Sequence, residues 1–84
     1  MEAIALCESG GKQFNSVGVV IESKTHDYGI MQINRTWLPV ARKMDLDIIH
    51  SEKDNIEFGY WLYEHFGSQP WNSSKHCWKD MDTS

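Results

Sequence analysis

The sequence predicts a mostly helical α+β fold carrying one small β-hairpin. Three observations predict it. Apolar residues recur at helical spacing at the start of the chain and, over a longer stretch, after residue 51. A β-branched run at Val17, Val19, Val20 and Ile21 precedes a polar turn. With 84 residues, 40% of them hydrophobic, the chain has material for one core, because a second domain would leave neither half enough to bury. We therefore expect one domain over residues 1–78 and a solvated tail over 79–84.

The elements follow in order. Met1 to Ser9 reads as a short helix with Ala3, Ile4, Leu6 and Cys7 on its apolar side, stopped by Gly10-Gly11. Val17 to Ile33 reads as a hairpin whose arms flank the turn Ser23-Lys24-Thr25-His26. Thr36 can cap a second helix running to about Met44, with Pro39 in its first turn, where no backbone N–H is required. Asp45 to His50 is a connector. Ser51 followed by Asp54 resembles a capping box with Asp in place of Glu, and Ile56, Gly59, Tyr60, Tyr63 and Phe66 then fit one face of the longest helix, which ends at Gly67. Trp71 to Trp78 is expected to form one or two irregular helical turns.

Charge and cysteine usage exclude several functions. A net charge of -4 without a basic cluster argues against nucleic-acid binding, which draws its affinity from Lys and Arg on phosphates. No apolar run is long enough to span a bilayer, and the first residues lack the charged-then-apolar layout of a signal peptide. Met1 lies seven residues before Glu8, as in an excised domain or a mature fragment. The four histidines, His26, His50, His65 and His76, show no metal spacing, so we expect no metal and no cofactor. Cys7 and Cys77 belong to no Cys-x-x-Cys pair. A disulfide between them is the leading reading; two buried thiols, or Cys7 as a nucleophile, are the alternatives.

Glu8 falls in the last turn of the first helix, four residues after Ile4 and therefore on its apolar stripe. The negative end of the helix dipole also disfavours its carboxylate, so both influences raise its pKa. Taken alone, such a glutamate is an ordinary surface residue. Its neighbours change that reading. The string Cys7-Glu8-Ser9-Gly10-Gly11 resembles the catalytic Glu-Ser-Gly motif of soluble lytic transglycosylases (SLT domains). Asp27-Tyr28-Gly29-Ile30-Met31-Gln32-Ile33-Asn34 resembles their second motif and is more closely similar to the Asp-Tyr-Gly-Ile-x-Gln-Ile-Asn segment of c-type lysozymes. The early Cys-Glu-Ser-Gly-Gly with a late Trp and Cys, here Trp71 and Cys77, looks like the resuscitation-promoting factors, whose two cysteines are joined. The Ala-Tyr-Asn motif of the transglycosylases is missing, as are the several disulfides of c-type lysozymes.

What the resemblance implies is a lysozyme-like fold and a muramidase, a glycosidase or lytic transglycosylase that cuts peptidoglycan between N-acetylmuramic acid and N-acetylglucosamine. Glu8 would be the general acid and Asp27 the second carboxylate, which in retaining enzymes commonly stands about 5 to 5.5 Å away. Lysozyme is the standard worked case of two such carboxylates driven apart in pKa, so this assignment is borrowed from the resemblance. Asp27 and Gln32 can both reach a cleft only if the strand bends at Gly29. Gln32 and Asn34 supply amides for sugar hydroxyls and N-acetyl groups. Tyr28, Tyr63 and Trp71 are further candidate substrate contacts, with Trp37 a second stacking platform. The partner is a glycan strand, bound by a monomer in an extracellular, periplasmic or phage-associated setting. The rival reading is a glycan-binding or structural module that keeps the fold without turnover. Asp27 tilts the expected product toward hydrolysis over formation of a 1,6-anhydro ring.

Overall fold

A computed structural model describes residues 2–79, without the side chains of residues 2 and 73. Beyond Lys79 the expected tail lies outside the described residues. The chain is α+β: helix α1 (Glu2–Ser9), strands β1 (Asp27–Tyr28) and β2 (Ile33–Asn34), a 3-10 turn (Arg35–Trp37), α2 (Leu38–Lys43), α3 (Glu52–Phe66), a 3-10 segment (Gln69–Ser74) and α4 (Lys75–Trp78).

Helix α1 ends where its glycines stand, the amides of Gly10 and Gly11 closing back onto the carbonyls of Leu6 and Ala5 at 2.9 and 3.2 Å. Its buried side is Ala3, Ile4 and Ala5, three consecutive residues that together face the core, and Leu6, expected on that side, falls on the remaining arc and is exposed. Cys7 is joined to Cys77 by a disulfide, with the two Cα atoms 6.0 Å apart, so the leading reading of the cysteines stands.

The expected hairpin over Val17 to Ile33 is instead a meander of very short ladders. Phe14 bridges Val20, Glu22 bridges Tyr28, and β1 pairs antiparallel with β2 in the register Asp27 to Asn34 and Tyr28 to Ile33. The polar turn closes at Ser23–His26 as expected, the His26 amide donating to the Ser23 carbonyl at 3.1 Å. The arm from Tyr28 to Ile33 does not continue straight. It reverses over residues 29–32, where Gly29 has φ +77° and the Gln32 amide returns to the Gly29 carbonyl at 3.0 Å.

That reversal is held from several directions. The Gly29 amide donates to the Ile21 carbonyl at 2.8 Å, but the buried amides and carbonyls of Ile30 and Met31 need partners that no ladder supplies. Gln13 Oε1 accepts from the Ile30 amide at 2.8 Å, and Asn55 Oδ1 accepts from the Met31 amide at 2.9 Å. Ser9 Oγ donates to the Ile30 carbonyl and Trp71 Nε1 to the Met31 carbonyl, both at 2.7 Å. The amide nitrogens of Gln13 and Asn55 complete the bonding by donating to the Ile48 carbonyl at 2.9 and 2.8 Å. Four side chains from four separate stretches of chain thus converge on one turn. Gln13 and Asn55, both fully buried, are the polar centre of an otherwise apolar core.

Two expectations about the later helices need correction. Asn34, not Thr36, caps the segment that follows it: Asn34 Oδ1 accepts from the Thr36 amide at 3.0 Å, and a 3-10 turn precedes α2. In α3 the Ser51 cap is as expected, Ser51 Oγ accepting from the Asp54 amide at 3.1 Å. The buried face, however, is Asn55, Phe58, Gly59 and Leu62, while Tyr60, Tyr63 and Phe66 are exposed. The shift has a physical reason. The face is led by Asn55, a polar residue that apolar periodicity passes over, and it is centred on Gly59, where the Met31 side chain packs so closely that a Cβ would meet Met31 Cγ at 2.8 Å. After α3 the chain kinks at Trp71 and α4 returns Cys77 to α1, as the expectation of irregular turns required.

Candidate active site

Glu8 lies in the last turn of α1, half-buried, and its Oε1 accepts a 2.6 Å hydrogen bond from Ser74 Oγ. Burial raises its pKa above the ordinary glutamate value. The Ser74 bond acts the other way, and the charge of Asp27 raises it further. Burial, rather than the helix end, is the main cause. The next residue, Ser9, is the one that bonds the Ile30 carbonyl, so the end of α1 and the β1–β2 reversal are held together one residue from the acid.

Asp27, on β1, is perturbed in the opposite sense. Burial would raise its pKa, but donation from Thr25, Ser23 and Asn34 and the neighbouring His26 together outweigh it and hold the carboxyl below the usual range. Ser23 Oγ donates to Oδ2 at 2.7 Å, Thr25 Oγ1 donates to the same oxygen, and Asn34 Nδ2 reaches Oδ1 at 2.9 Å. The tight turn before β1 explains why: it sets hydroxyls two and four residues back around the carboxylate. His26 in turn pairs with Glu22 at 2.7 Å.

Asp27 lines a hollow of about 80 Å³ together with Gln32, Ile33, Asn34, Trp37, Leu62, Pro70 and Trp71. Glu8 is not part of that lining; it is bonded to Ser74, at the end of the segment that supplies Pro70 and Trp71. A larger depression of about 330 Å³, between Leu38, Arg42 and residues 46–50, lies at the connector and holds neither perturbed carboxylate of the site.

Of the other expected site residues, Gln32 and Asn34 are brought to the hollow, but their amide nitrogens are occupied within the protein. Gln32 Nε2 donates to the Gly29 and Ile21 carbonyls at 2.9 and 3.2 Å, and Asn34 Nδ2 to Asp27 and the Thr25 carbonyl. They shape the site before they contact anything else. Tyr28 is half-buried on β1 and its carbonyl accepts from Asn55 Nδ2 at 2.9 Å. Tyr63 is exposed on α3 and lines none of the hollow. Trp71 is 1% exposed, so its ring is a core anchor whose edge floors the hollow and not an open stacking face. Trp37 lines the hollow and packs edge-on against Trp61, 6.2 Å between ring centres. Ser23 and Thr25 were legible only as a polar turn, and Ser74 carried no sequence signal at all, being 66 residues from its partner. Among the described residues no cluster of His, Cys, Asp or Glu is arranged to hold a metal ion.

Compared with family models, curated proteins and solved structures, the chain finds no match.

Proposed function

We propose that the chain is a muramidase that cleaves the glycan strand of peptidoglycan, with Glu8 as general acid and Asp27 as the anion that stabilises the cationic sugar. One observation carries the reading: the two motif carboxylates stand in opposite environments, Glu8 half-buried with one hydroxyl on it and its pKa raised, Asp27 ringed by three side-chain donors with its pKa lowered. General acid catalysis needs the first and an oxocarbenium-like transition state needs the second. The two motif strings lend the substrate class. In the forward step the glycosidic C–O bond breaks, its electron pair stays with the leaving oxygen, and that oxygen takes the proton of Glu8. The Asp27 carboxylate faces the cationic anomeric centre. Water or the sugar's own 6-hydroxyl then bonds to that carbon and gives its proton back to Glu8.

The hollow beside Asp27 is sized for a sugar substituent, such as an acetamido group, with the strand itself crossing its mouth; Gln32 Oε1 and the edge of Trp37 supply the polar and flat contacts. With three donors already on it, Asp27 acts through charge more readily than as a nucleophile; by stabilising the cationic centre it lengthens the life of the intermediate and lets water compete, which favours a hydrolytic product. On this reading the fold is lysozyme-like, with α1 and the meander on either side of the glycan strand. So does an extracytoplasmic or phage-borne setting, since the Cys7–Cys77 bond is at home in an oxidising compartment. The experiment is release of soluble fragments from purified peptidoglycan: wild type releases them, and Glu8→Gln, which cannot give up a proton, falls by about 10² to 10⁴-fold. Binding of glycan without release by the wild type would make the chain a binding module instead.

A further inference from the structure

We propose that Ser74 is the positioning residue of Glu8: its hydroxyl hydrogen, directed by Trp78, rests on Glu8 Oε1, so that the transferable proton of the acid form is carried on Oε2. The catalytic part of this role rests on the muramidase reading; the bonding itself does not.

A hydroxyl has one hydrogen to give and two lone pairs to receive with. The indole N–H of Trp78 can only donate, and Trp78 Nε1 lies 3.1 Å from Ser74 Oγ and 3.2 Å from the Trp71 carbonyl. Ser74 Oγ therefore receives from Trp78 and must point its own hydrogen elsewhere. Two acceptors are in reach, Glu8 Oε1 at 2.6 Å and the Trp71 carbonyl at 3.1 Å. The carbonyl already shares the Trp78 hydrogen, whereas a bond to a carboxylate is charge-assisted, and 2.6 Å is the length such bonds have. Glu8 wins. With Oε1 occupied by a donor, the proton of the acid form goes to the other oxygen.

The same contact is enforced covalently. Ser74 stands three residues before Cys77, and Cys77 is bonded to Cys7, the neighbour of Glu8. Residues 7 and 8 are thus tied to residues 77 and 74 by a disulfide and a hydrogen bond in parallel, and α1 packs on both the 3-10 segment and α4. Asp27, on β1, is the charged group that acts on Glu8; Lys75 and His76 on α4 are exposed. Because a donor to Oε1 favours the carboxylate, its removal moves the Glu8 titration to higher pH.

The test follows the Glu8 side-chain carboxyl by carbon NMR in protein labelled at glutamate, assigned with Glu8→Gln, alongside the pH profile of peptidoglycan cleavage. Ser74→Ala is expected to shift the titration and the basic limb of the profile upward together and to lower kcat roughly tenfold. Ser74→Thr, which keeps the hydroxyl, restores both. Trp78→Phe, which keeps a ring but frees the hydroxyl, moves the titration the same way by less. A folded Ser74→Ala with an unmoved Glu8 titration overturns the proposal. A wild type that leaves peptidoglycan intact, while Ser74→Ala still moves the titration, ends the muramidase reading and leaves the Ser74–Glu8 assignment standing.

Discussion

Replacing Gly29 by Ala puts a methyl group against the buried side-chain amides of Gln13 and Asn55. Gly29 has φ +77°, and a Cβ there would fall inside contact distance of the amide heads of both Gln13 and Asn55. Two costs add. A left-handed alanine costs about 1 to 2 kcal/mol, and displacing buried amides that hold Ile30, Met31 and Ile48 costs about 1 to 3 kcal/mol for each group left unsatisfied. The expected loss is about 3 to 5 kcal/mol, a large part of the 5 to 15 kcal/mol that such domains possess. Gly18 is the control: its φ is +83°, but nothing lies within 4 Å of its Cβ position, so Gly18→Ala carries the backbone cost alone, about 1 to 2 kcal/mol. Urea unfolding under nonreducing conditions, extrapolated to water, measures both variants. In a Gln13→Ala background the penalty at Gly29 shrinks, since one of the two obstructing amides is gone. Equal losses for Gly29→Ala and Gly18→Ala would refute the account of how the β1–β2 reversal is held.

Other outcomes follow from the same geometry. Opening the Cys7–Cys77 bond, by reductant or as Cys7→Ser/Cys77→Ser, frees a loop of 70 residues and should cost about 4 kcal/mol in the chain-entropy model, read as a lower urea midpoint. On the proposed mechanism, cleavage should show a bell-shaped pH dependence. Its acid limb lies below the ordinary aspartate value because Asp27 must be ionised, and its basic limb lies above the ordinary glutamate value because Glu8 must be protonated. Asp27→Asn removes the charge that helps raise Glu8, so any residual activity should show its basic limb moved down; a limb that stays put would separate the two groups. For stability the signs also oppose. Asp27, with its pKa lowered, contributes stability that is present above its unfolded value and lost as pH falls through the folded one. Glu8, with its pKa raised, favours folding below its unfolded value and loses that contribution as pH rises through the folded one. Acid unfolding of Asp27→Asn should therefore start from lower stability and depend less on pH in the acidic range.

Local rules reached much of the fold. The glycines after Ser9, the Ser51 cap and the stop at Gly67 each act over a few residues, and each stands where those rules place it. The rest depends on contacts made at a distance. Asn55 leads the buried face of α3 because its side chain bonds residues 28, 31 and 48, so a reading by apolar spacing settled on Tyr60 and Tyr63 instead. Gln13 falls between the first helix and the expected hairpin, where no local rule marks it, and its side chain bonds the carbonyls of residues 48 and 49. At the site, Asp27 was legible, but the hydroxyls around it were visible only as turn formers. The bend at Gly29 was expected as a way to bring Asp27 and Gln32 to one side; in the structure it is a full reversal, and both residues line the same hollow. Trp71, a candidate substrate contact by sequence, is buried in the core, where its indole N–H bonds the Met31 carbonyl.

In the proposed reaction Glu8 delivers a proton to a glycosidic oxygen of peptidoglycan. Mass spectrometry of fragments released from purified peptidoglycan reads this out, with wild type and Glu8→Gln compared at matched folded concentration. Disaccharide-peptide fragments ending in muramic acid are expected from the wild type, with reducing ends in excess over ends lacking one water, and almost none from Glu8→Gln. Equal release by the two proteins, or intact glycan strands with both, would contradict it.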